Sequence, residues 1–317
     1  MRALTWDGQA ARVLDRPAPA PRPGMAVLET LRAGVCNTDL EIVRGYMGFR
    51  GVLGHEVVGR VIEGPAAWIG KRAAAEINFA CGSCATCARG LGRHCPTRTV
   101  MGILGADGAL AERVLVPIEN LHAVPDAVSD DAAAFIEPLA AACEILEQVH
   151  VGPAMRCVVL GDGKLGLLVA QVLFTTGAQV LAVGKHPEKL ALLEARGIET
   201  VTLDRWAREP ADLVVEATGT ARGLEQAIAV TRPRGTLILK STVAAPSELH
   251  LAPLVIHEIT VVGSRCGSFA PAIRALASGA VDVLSLVSAR VPLSRADEAL
   301  RLAAEPGVLK VLVENDR

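Results

Sequence analysis

The chain has 317 residues, which is room for about two domains of ~150 residues each. It is 51% hydrophobic and 3% aromatic, and its formal net charge at pH 7 is −2. Both signs of charge are interspersed, which argues against nucleic acid or a membrane surface as the main partner. No window reaches the ~18 unbroken apolar residues of a membrane span, and the N-terminus does not read as a signal peptide.

The cysteines indicate a reducing compartment. Four of the eight lie between residues 81 and 95, and crowding of this kind without a secretion signal favours thiolates on a metal over disulfides. We therefore expect a cytoplasmic protein. Cys143, Cys157 and Cys266 are interpreted as core residues in helix or strand.

The first 144 residues predict a compact β-rich domain. Residues 26–33 and 57–62 have the apolar pattern of strands, and the proline-rich segment 17–23 predicts an extended connector. A helix is predicted to begin near Pro138, a good first helical residue, and to run through Glu147.

The middle of the chain alternates strands and helices. A short apolar strand at 157–160 is followed by a glycine-rich turn and a helix at 167–174. Further strands are predicted at 179–183, 200–203, 212–216, 235–239 and 259–262, and further helices at 187–196, 221–231 and 270–278. This alternation predicts a doubly wound α/β domain, a parallel sheet covered on both faces.

The C-terminal tail returns to the first pattern. It has a strand from Leu286, a helix at 294–304 and a strand at 308–313. We expect this tail to rejoin the first domain. The predicted organisation is a discontinuous domain of residues 1–144 and 285–317, and a dinucleotide-binding domain of residues 145–284.

The most specific motif is the loop Cys81-x₂-Cys84-x₂-Cys87-x₇-Cys95. Four thiolates satisfy a tetrahedral zinc ion completely and leave no position for chemistry, so we predict a structural zinc here. The alternative is four reduced core cysteines, but the surrounding Gly, Ser, Thr and Arg could not form an apolar core. His94 could replace Cys95 as a ligand, although a solvated loop histidine fits these surroundings better.

The second motif is Gly161-x-Gly163-x-x-Gly166, placed between a predicted strand and a predicted helix. The glycines permit a tight turn, a close approach to a pyrophosphate and close helix–strand packing, and the helix N-terminus faces the phosphates. An ordinary glycine-rich turn is the alternative. Asp162 is an unusual neighbour for a phosphate, and we expect its side chain to point away from it.

The end of the next strand bears on the choice of cofactor. A site for NAD has an acidic residue about 20 positions after the glycine motif, whereas this chain has Gly184-Lys185-His186. Glycine leaves room for a 2′-phosphate, and Lys185 and His186 could pair with it. We therefore predict NADP(H) in preference to NAD(H). The alternative for Lys185 is a solvated loop lysine.

A second zinc is the hypothesis for Cys36, His55 and Glu137. Cys, His and Glu all bind Zn²⁺, and three protein ligands leave a fourth position open, as in catalytic zinc sites. Spacing alone leaves other interpretations open. Cys36 would then be a core residue, Gly54-His55-Glu56 a polar turn, and Glu137 a carboxylate at a helix N-terminus.

These motifs, taken in chain order, resemble the zinc-containing medium-chain dehydrogenase/reductase family, which is alcohol dehydrogenase-like. The motifs that carry the resemblance are Cys36-x-Thr38-Asp39, Gly54-His55-Glu56, the four-cysteine loop, Glu137-Pro138-Leu139 and Gly161-x-Gly163-x-x-Gly166. The resemblance extends over essentially the whole chain. It implies a GroES-like β-rich catalytic domain completed by the tail, a Rossmann domain, an active site in the cleft between them, and a homodimer or homotetramer.

The resemblance also implies roles around the metal. Cys36, His55 and Glu137 match the catalytic zinc ligands of the sorbitol, threonine and glucose dehydrogenase branches. Glu56 matches a carboxylate that lies near the metal and can exchange with water. Asp39 matches the partner that fixes the tautomer and orientation of the zinc histidine.

Two further residues match a proton relay and a cofactor contact, and a third departs from the pattern of many family members. Thr38 matches the hydroxyl that begins the relay, and Lys310 matches a basic residue that reaches the cofactor pyrophosphate. Many family members have a histidine five residues after the zinc cysteine as the outer end of the relay. This chain has Glu41 there, as the glucose dehydrogenase branch often does.

The expected reaction is reversible oxidation of an alcohol to a carbonyl compound, with two zinc ions per chain and NADP(H) as the hydride carrier. A polyol, a sugar or a simple alcohol all fit, and the short chain indicates trimmed loops on the substrate side. The rival interpretation is a zinc-stabilised NADPH-binding protein without dehydrogenase activity. A zinc-free quinone reductase on the same scaffold fits poorly because the ligand set is present.

Overall fold

A computed structural model describes residues 1–242 and 249–316 of the chain. No helix in these ranges is long and apolar enough to cross a bilayer. The strands are β1 (Arg2–Trp6), β2 (Ala11–Asp15), β3 (Met25–Gly34), β4 (Gly51–Val52), β5 (Glu56–Glu63), β6 (Arg72–Ala75), β7 (Asn78–Phe79), β8 (Thr99–Met101), β9 (Gly105–Ala106), β10 (Arg113–Pro117), β11 (Leu121–Ala123), β12 (Arg156–Leu160), β13 (Gln179–Gly184), β14 (Glu199–Thr202), β15 (Ala211–Glu216), β16 (Thr231–Leu239), β17 (Thr260–Gly263), β18 (Val287–Pro292) and β19 (Lys310–Glu314). The helices are α1 (Asn37–Ile42), α2 (Ala85–Ala88), α3 (Asp130–Ala133), α4 (Ile136–Gln148), α5 (Lys164–Phe174), α6 (Pro187–Glu194), α7 (Ala221–Val230), α8 (Ala252–Ile256), α9 (Phe269–Ala277) and α10 (Ala296–Ala303).

The chain divides into two compact units. The first contains Met1–Glu137, Phe269–Ser278 and the C-terminal segment from Val283, and the second contains Pro138–Ser268 and Gly279–Asp282. These ends differ from the predicted ones, because α9 lies in the first unit and α4 begins at the junction. The predicted domain ranges also include residues 243–248 and 317, which lie outside the described residues.

The first unit is built on a sheet with the strand order β11-β6-β5-β3-β19-β18, and β10 also pairs with β3. The C-terminal strand β19 runs antiparallel to β3, with Leu312 opposite Gly34. Apolar side chains from the N-terminal strands pack with α10 and β19, among them Leu4, Val35, Leu300 and Val311. The tail therefore contributes both a strand and a helix to the core of this unit.

The second unit is a parallel sheet with the order β14-β13-β12-β15-β16-β17. This is the order of a dinucleotide-binding Rossmann fold, in which ligands bind beyond the carboxyl ends of the strands where the order reverses. That point lies between β12 and β15. Residues 157–160 of β12 are all buried, as expected of a strand at the centre of a sheet covered by helices.

The predicted elements of the middle segment and tail are present, with ends shifted by a few residues. The helix predicted to begin near Pro138 begins at Ile136, so Pro138 lies in its first turn, where the missing N–H has no partner to lose. Cys143 and Cys157 are buried in α4 and β12, as predicted. Cys266 is half-buried and lies in a loop, so its assignment to a helix or strand was wrong.

Candidate active site

A buried carboxylate, that of Asp39, organises one cluster of the first unit. Cys36 precedes α1, and Asp39 lies in its first turn with no exposed surface. The Asp39 carboxylate accepts hydrogen bonds from the backbone N–H of Cys36 at 2.8 Å and of Gly54 at 3.1 Å. It thereby ties the cysteine to the turn that carries the histidine. Gly54 has φ +94°, and an added Cβ would lie 2.6 Å from Leu110 Cγ, so this turn requires glycine.

His55 and Glu56 follow that turn and point into the same cluster. One candidate ligand atom from each of Cys36, His55 and Glu56 lies within 4.8 Å of the others. His55 is 2% exposed, and its Nδ1 lies 3.4 Å from Asp39 Oδ1. Glu56 Oε1 is buried with no hydrogen-bond partner among the described residues. An unpartnered buried oxygen next to a thiol and an imidazole fits a bound cation.

The charges of the cluster favour a cation. Burial would raise the pKa of Asp39, but the charge of His55 and the hydrogen bonds from Cys36 and Gly54 hold that pKa below its ordinary value. Burial would lower the pKa of His55, but Asp39 and Cys36 raise it well above the ordinary value. Asp39 and Cys36 thus place negative charge beside the ring, which a zinc ion at this place would balance.

Lys310 lies in the same unit and is buried next to the cluster. It is 1% exposed, its Nζ forms an ion pair with Glu56 Oε2, and it also donates to Val35 O at 3.4 Å. Burial lowers the pKa of Lys310, but Glu56, Cys36 and Glu137 raise it above its ordinary value. The contact of Lys310 with a cofactor pyrophosphate stays a prediction, and within the first unit the ammonium is buried against Glu56.

The remaining predicted residues of this unit lie around the cluster. Glu137 lies in the first turn of α4 and is half-buried. It is outside the group of ligand atoms within 4.8 Å of one another, but its charge acts on Lys310. The Thr38 hydroxyl lies 3.8 Å from Cys36 Sγ. Glu41 is exposed and forms an ion pair with Arg44 at 2.7 Å.

The four-cysteine loop brings its sulfurs together. The ligand atoms of Cys81, Cys84, Cys87 and Cys95 all lie within 4.8 Å of one another. The Sγ atom of Cys84 lies 3.5 Å from Cys87 Sγ and 3.9 Å from Cys95 Sγ, and Cys81 Sγ lies 3.9 Å from Cys87 Sγ. Zinc–sulfur bonds of about 2.3 Å in a tetrahedron place sulfurs about 3.8 Å apart. The loop therefore has the geometry of a tetrahedral zinc site.

The surroundings of the loop shift the pKa values of two of its cysteines in opposite directions. Hydrogen bonds from Ser83, then from Thr97, lower the pKa of Cys81 to about 5. Desolvation and Cys84 raise the pKa of Cys87 to about 12. A dication bound by the four sulfurs would stabilise all of them as thiolates.

The glycine motif of the second unit forms the turn between β12 and α5. Gly161 has φ +117°, and a Cβ at Gly166 would lie 1.9 Å from Gly161 O, so the helix packs directly on the turn. Gly163 caps α5 with no side-chain hydrogen bond, and a Cβ there would meet nothing within 4 Å. The position of a Cβ at Gly163, beside the N-terminus of α5, is therefore open, which fits a dinucleotide pyrophosphate.

At the end of β13 the structure shows a side-chain contact that the sequence analysis did not predict. Lys185 is exposed, whereas His186 Nδ1 lies 3.0 Å from Asp162 Oδ2. The Asp162 side chain turns toward residues 184–186 and occupies the space beside Gly184. Sequence reasoning missed this contact. The available signal was an acidic residue inside the glycine motif together with a glycine at the position of the usual acid.

Comparisons with known proteins agree with this architecture. Residues 22–126 match the family described as "Alcohol dehydrogenase GroES-like domain", and residues 165–284 match "Zinc-binding dehydrogenase". The chain is 28% identical to the 2-dehydro-3-deoxy-L-galactonate 5-dehydrogenase of Pseudoalteromonas atlantica, over 95% of each chain. It is 27% identical to the L-idonate 5-dehydrogenase (NAD(P)(+)) of Escherichia coli K12, over 88% of each chain.

A solved structure extends this likeness to three dimensions. The alcohol dehydrogenase TADH from Thermus sp. ATN1 superposes with a TM-score of 0.91 at 28% identity and covers 100% of both chains. The predicted fold, a GroES-like domain with a Rossmann domain, is confirmed. The protein is an alcohol dehydrogenase-type oxidoreductase that uses a nicotinamide cofactor and zinc. The chain belongs to the zinc-type medium-chain dehydrogenase/reductase family.

Proposed function

We propose that the protein transfers a hydride between the secondary alcohol of a polyol, sugar or sugar acid and a nicotinamide dinucleotide, with one catalytic and one structural zinc per chain. The observation that carries this proposal is the cluster of Cys36, His55 and Glu56 around a buried, unpartnered carboxylate oxygen. The substrate class follows from the relatives, which act on sugar acids.

The catalytic metal is held by Cys36, His55 and a carboxylate. We assign that carboxylate to Glu137, with Glu56 beside the metal. Lys310 already occupies one oxygen of Glu56, which reduces the negative charge that Glu56 brings to a cation. When bound, the zinc supplies Lewis-acid polarisation of the substrate oxygen, and the dinucleotide supplies the hydride carrier.

The protein's own residues position these groups and move the proton. Asp39, fixed by two backbone N–H groups, holds the His55 ring in place. Thr38 Oγ1 lies beside Cys36 Sγ, so it can accept the hydroxyl proton of a substrate bound at the cluster while it passes its own proton outward. Glu41 lies one turn later on α1 and is exposed, which places a carboxylate where a proton leaves to solvent.

The structural zinc is assigned to Cys81, Cys84, Cys87 and Cys95. All four sulfurs are within reach of one ion, so no coordination position is left for a substrate. The eight cysteines are all free of disulfides. This supports the further proposal of a reducing, cytoplasmic compartment.

A homo-oligomer is proposed from the edge of the second sheet. β17 is the edge strand, and Val261 in it is 42% exposed. Val255 and Ile256 of the adjacent α8 are 77% and 71% exposed. An unpaired edge strand with apolar neighbours is a site where a second chain can add. Size-exclusion chromatography with light scattering tests for a dimer or tetramer.

Turnover and metal content together test the function. We expect two zinc ions per chain and turnover on a panel of sugar acids, polyols and simple alcohols with NAD⁺ or NADP⁺. His55→Ala should abolish turnover, leave one zinc and retain dinucleotide binding. Full activity of His55→Ala would overturn the mechanism. One zinc in the unsubstituted protein, with no turnover on the panel, would indicate a zinc-stabilised dinucleotide-binding protein instead.

A further inference from the structure

The glycine motif places a carboxylate at the end of the neighbouring strand. Asp162 follows β12, and β12 is paired in parallel with β13, with Leu160 opposite Val183. Asp162 Oδ2 accepts hydrogen bonds from the backbone N–H of Lys185 at 2.6 Å and of His186 at 2.7 Å. The third contact is with His186 Nδ1 at 3.0 Å. Asp162 is 9% exposed, so the structure fixes its position.

Gly184 is the counterpart of Asp162. An added Cβ at Gly184 would lie 2.5 Å from Asp162 Oδ2 and 2.6 Å from Asp162 Cβ. No side chain fits at residue 184 while Asp162 keeps its place. The space beside Gly184 is therefore occupied by the Asp162 side chain.

The position of this carboxylate has a chemical meaning in a Rossmann fold. The end of the second strand is where an acidic side chain accepts hydrogen bonds from the ribose hydroxyls of NAD. The Asp162 hydrogen bonds within the described residues all go to Oδ2, so Oδ1 has acceptor capacity left. Burial would raise the pKa of Asp162, but the N–H groups of His186 and Lys185 and the His186 ring keep it below its ordinary value. The group is an anion at neutral pH.

We propose that Asp162 is the ribose-recognising carboxylate of this protein, supplied from the glycine turn, and that the chain consequently selects NAD(H) over NADP(H). The inference rests on the proposed use of a dinucleotide at the glycine turn, and it replaces the preference expected from Gly184-Lys185-His186. A 2′-phosphate at this place would meet a like charge a few ångströms away. Gly184 serves to admit Asp162.

Binding measurements on the full chain test this without turnover. Dissociation constants for NADH and NADPH are measured by isothermal titration calorimetry in the absence of substrate, together with those for AMP and adenosine 2′,5′-bisphosphate. We expect the unsubstituted protein to bind NADH more tightly than NADPH and AMP more tightly than the bisphosphate. AMP and adenosine 2′,5′-bisphosphate differ only by the 2′-phosphate, so their comparison tests recognition at the ribose alone.

Two variants make the test specific. Asp162→Asn removes the charge but keeps an oxygen that can accept from Lys185 and His186, and we expect the NADPH/NADH ratio of dissociation constants to fall about tenfold or more. Glu199→Gln changes net charge equally from an exposed residue at the other end of the same sheet, at the start of β14, and should leave the ratio unchanged.

The outcomes separate the two proposals. Tighter binding of NADPH by the unsubstituted protein, or an unchanged ratio in a folded Asp162→Asn variant, would overturn the role of Asp162 but leave the dehydrogenase intact. Should Asp162→Asn not fold, the mononucleotide comparison in the unsubstituted protein still decides. Absence of binding of both dinucleotides would overturn this inference and the proposed function together.

Discussion

Lys310 and Glu56 form an ion pair that joins the C-terminal strand β19 to the start of β5. The two side chains are 1% and 0% exposed. Removing one partner leaves the other charge in the interior without the group that neutralises it in the ion pair. We expect Lys310→Met to lower the free energy of unfolding of the first unit by about 3–5 kcal/mol, measured by urea denaturation of the full chain.

A double-mutant cycle isolates this pair from general packing. Glu56→Gln combined with Lys310→Met removes both charges, so the double variant should be more stable than Lys310→Met alone. A cycle that is additive within error would contradict the interpretation, because the two side chains would then contribute independently.

Substitutions of Glu56 and Glu137 should reduce the retention of the catalytic zinc to different extents. Glu56 forms an ion pair with Lys310, whereas Glu137 is the residue that we assign as the third ligand. We expect Glu137→Gln to reduce the catalytic zinc retained after mild chelation more than Glu56→Gln does. Mass spectrometry of the metal content measures both. The opposite order would assign Glu56 as the third ligand.

The features that can be predicted from the sequence are those whose residues lie close together along the chain. The four cysteines and the Gly161–Gly166 turn are local, so residue spacing already specifies which atoms meet. The alternation of strands and helices likewise predicted the parallel sheet, because hydrophobic period and turn residues act over a few positions.

The sequence could not predict contacts between distant segments. Lys310 and Glu56 are 254 residues apart, and their pairing depends on β19 joining the sheet of β3 and β5. Asp162 contacts the turn after Gly184 because β12 and β13 are neighbouring strands. The sequence alone indicates free space at Gly184, whereas the Asp162 side chain occupies that space. Both contacts arise from the packing of strands, which motif spacing does not encode.

Substitution of two glycines in the turn between β12 and α5 should have different effects on stability and on dinucleotide binding. A Cβ at Gly166 would lie 1.9 Å from Gly161 O, whereas a Cβ at Gly163 would meet nothing within 4 Å. We expect Gly166→Ala to destabilise the second unit by about 1–3 kcal/mol. Gly163→Ala should leave stability unchanged and weaken NADH binding, because its methyl group enters the space left for the phosphates. Thermal unfolding and calorimetric titration distinguish them, and normal NADH affinity in Gly163→Ala would contradict this placement.

The structural zinc should depend on each cysteine of its loop. Cys84 Sγ lies within 3.9 Å of two other loop sulfurs, so Cys84→Ser removes a central ligand. We expect this variant to bind one zinc ion instead of two and to unfold at a lower temperature. Cys266→Ser is the matched control, because Cys266 lies outside the loop and should leave the zinc content at two. Two zinc ions in Cys84→Ser would show that the loop does not hold a metal.

Asp131 gives the first unit a stability that depends on pH. It lies in α3 and pairs with Arg32 of β3 and Arg290 of β18, both at 2.7 Å. Burial would raise the pKa of Asp131, but these two arginines hold it below its ordinary value. A carboxyl group with a lowered folded pKa stabilises the fold above its unfolded pKa of about 3.9, and this contribution is lost as pH falls through the folded pKa.

The Asp131→Asn variant should therefore lose stability at neutral pH but not in acid. We expect its free energy of unfolding at pH 7 to be about 1–2 kcal/mol lower than that of the unsubstituted protein. The difference should stay constant down to about pH 5 and shrink below about pH 4. Asp126→Asn, at an exposed loop residue, makes the same change in net charge and should match the unsubstituted protein throughout. A difference for Asp131→Asn that persists unchanged at pH 2 would mean that packing, and not the pairing with Arg32 and Arg290, is what the substitution disturbs.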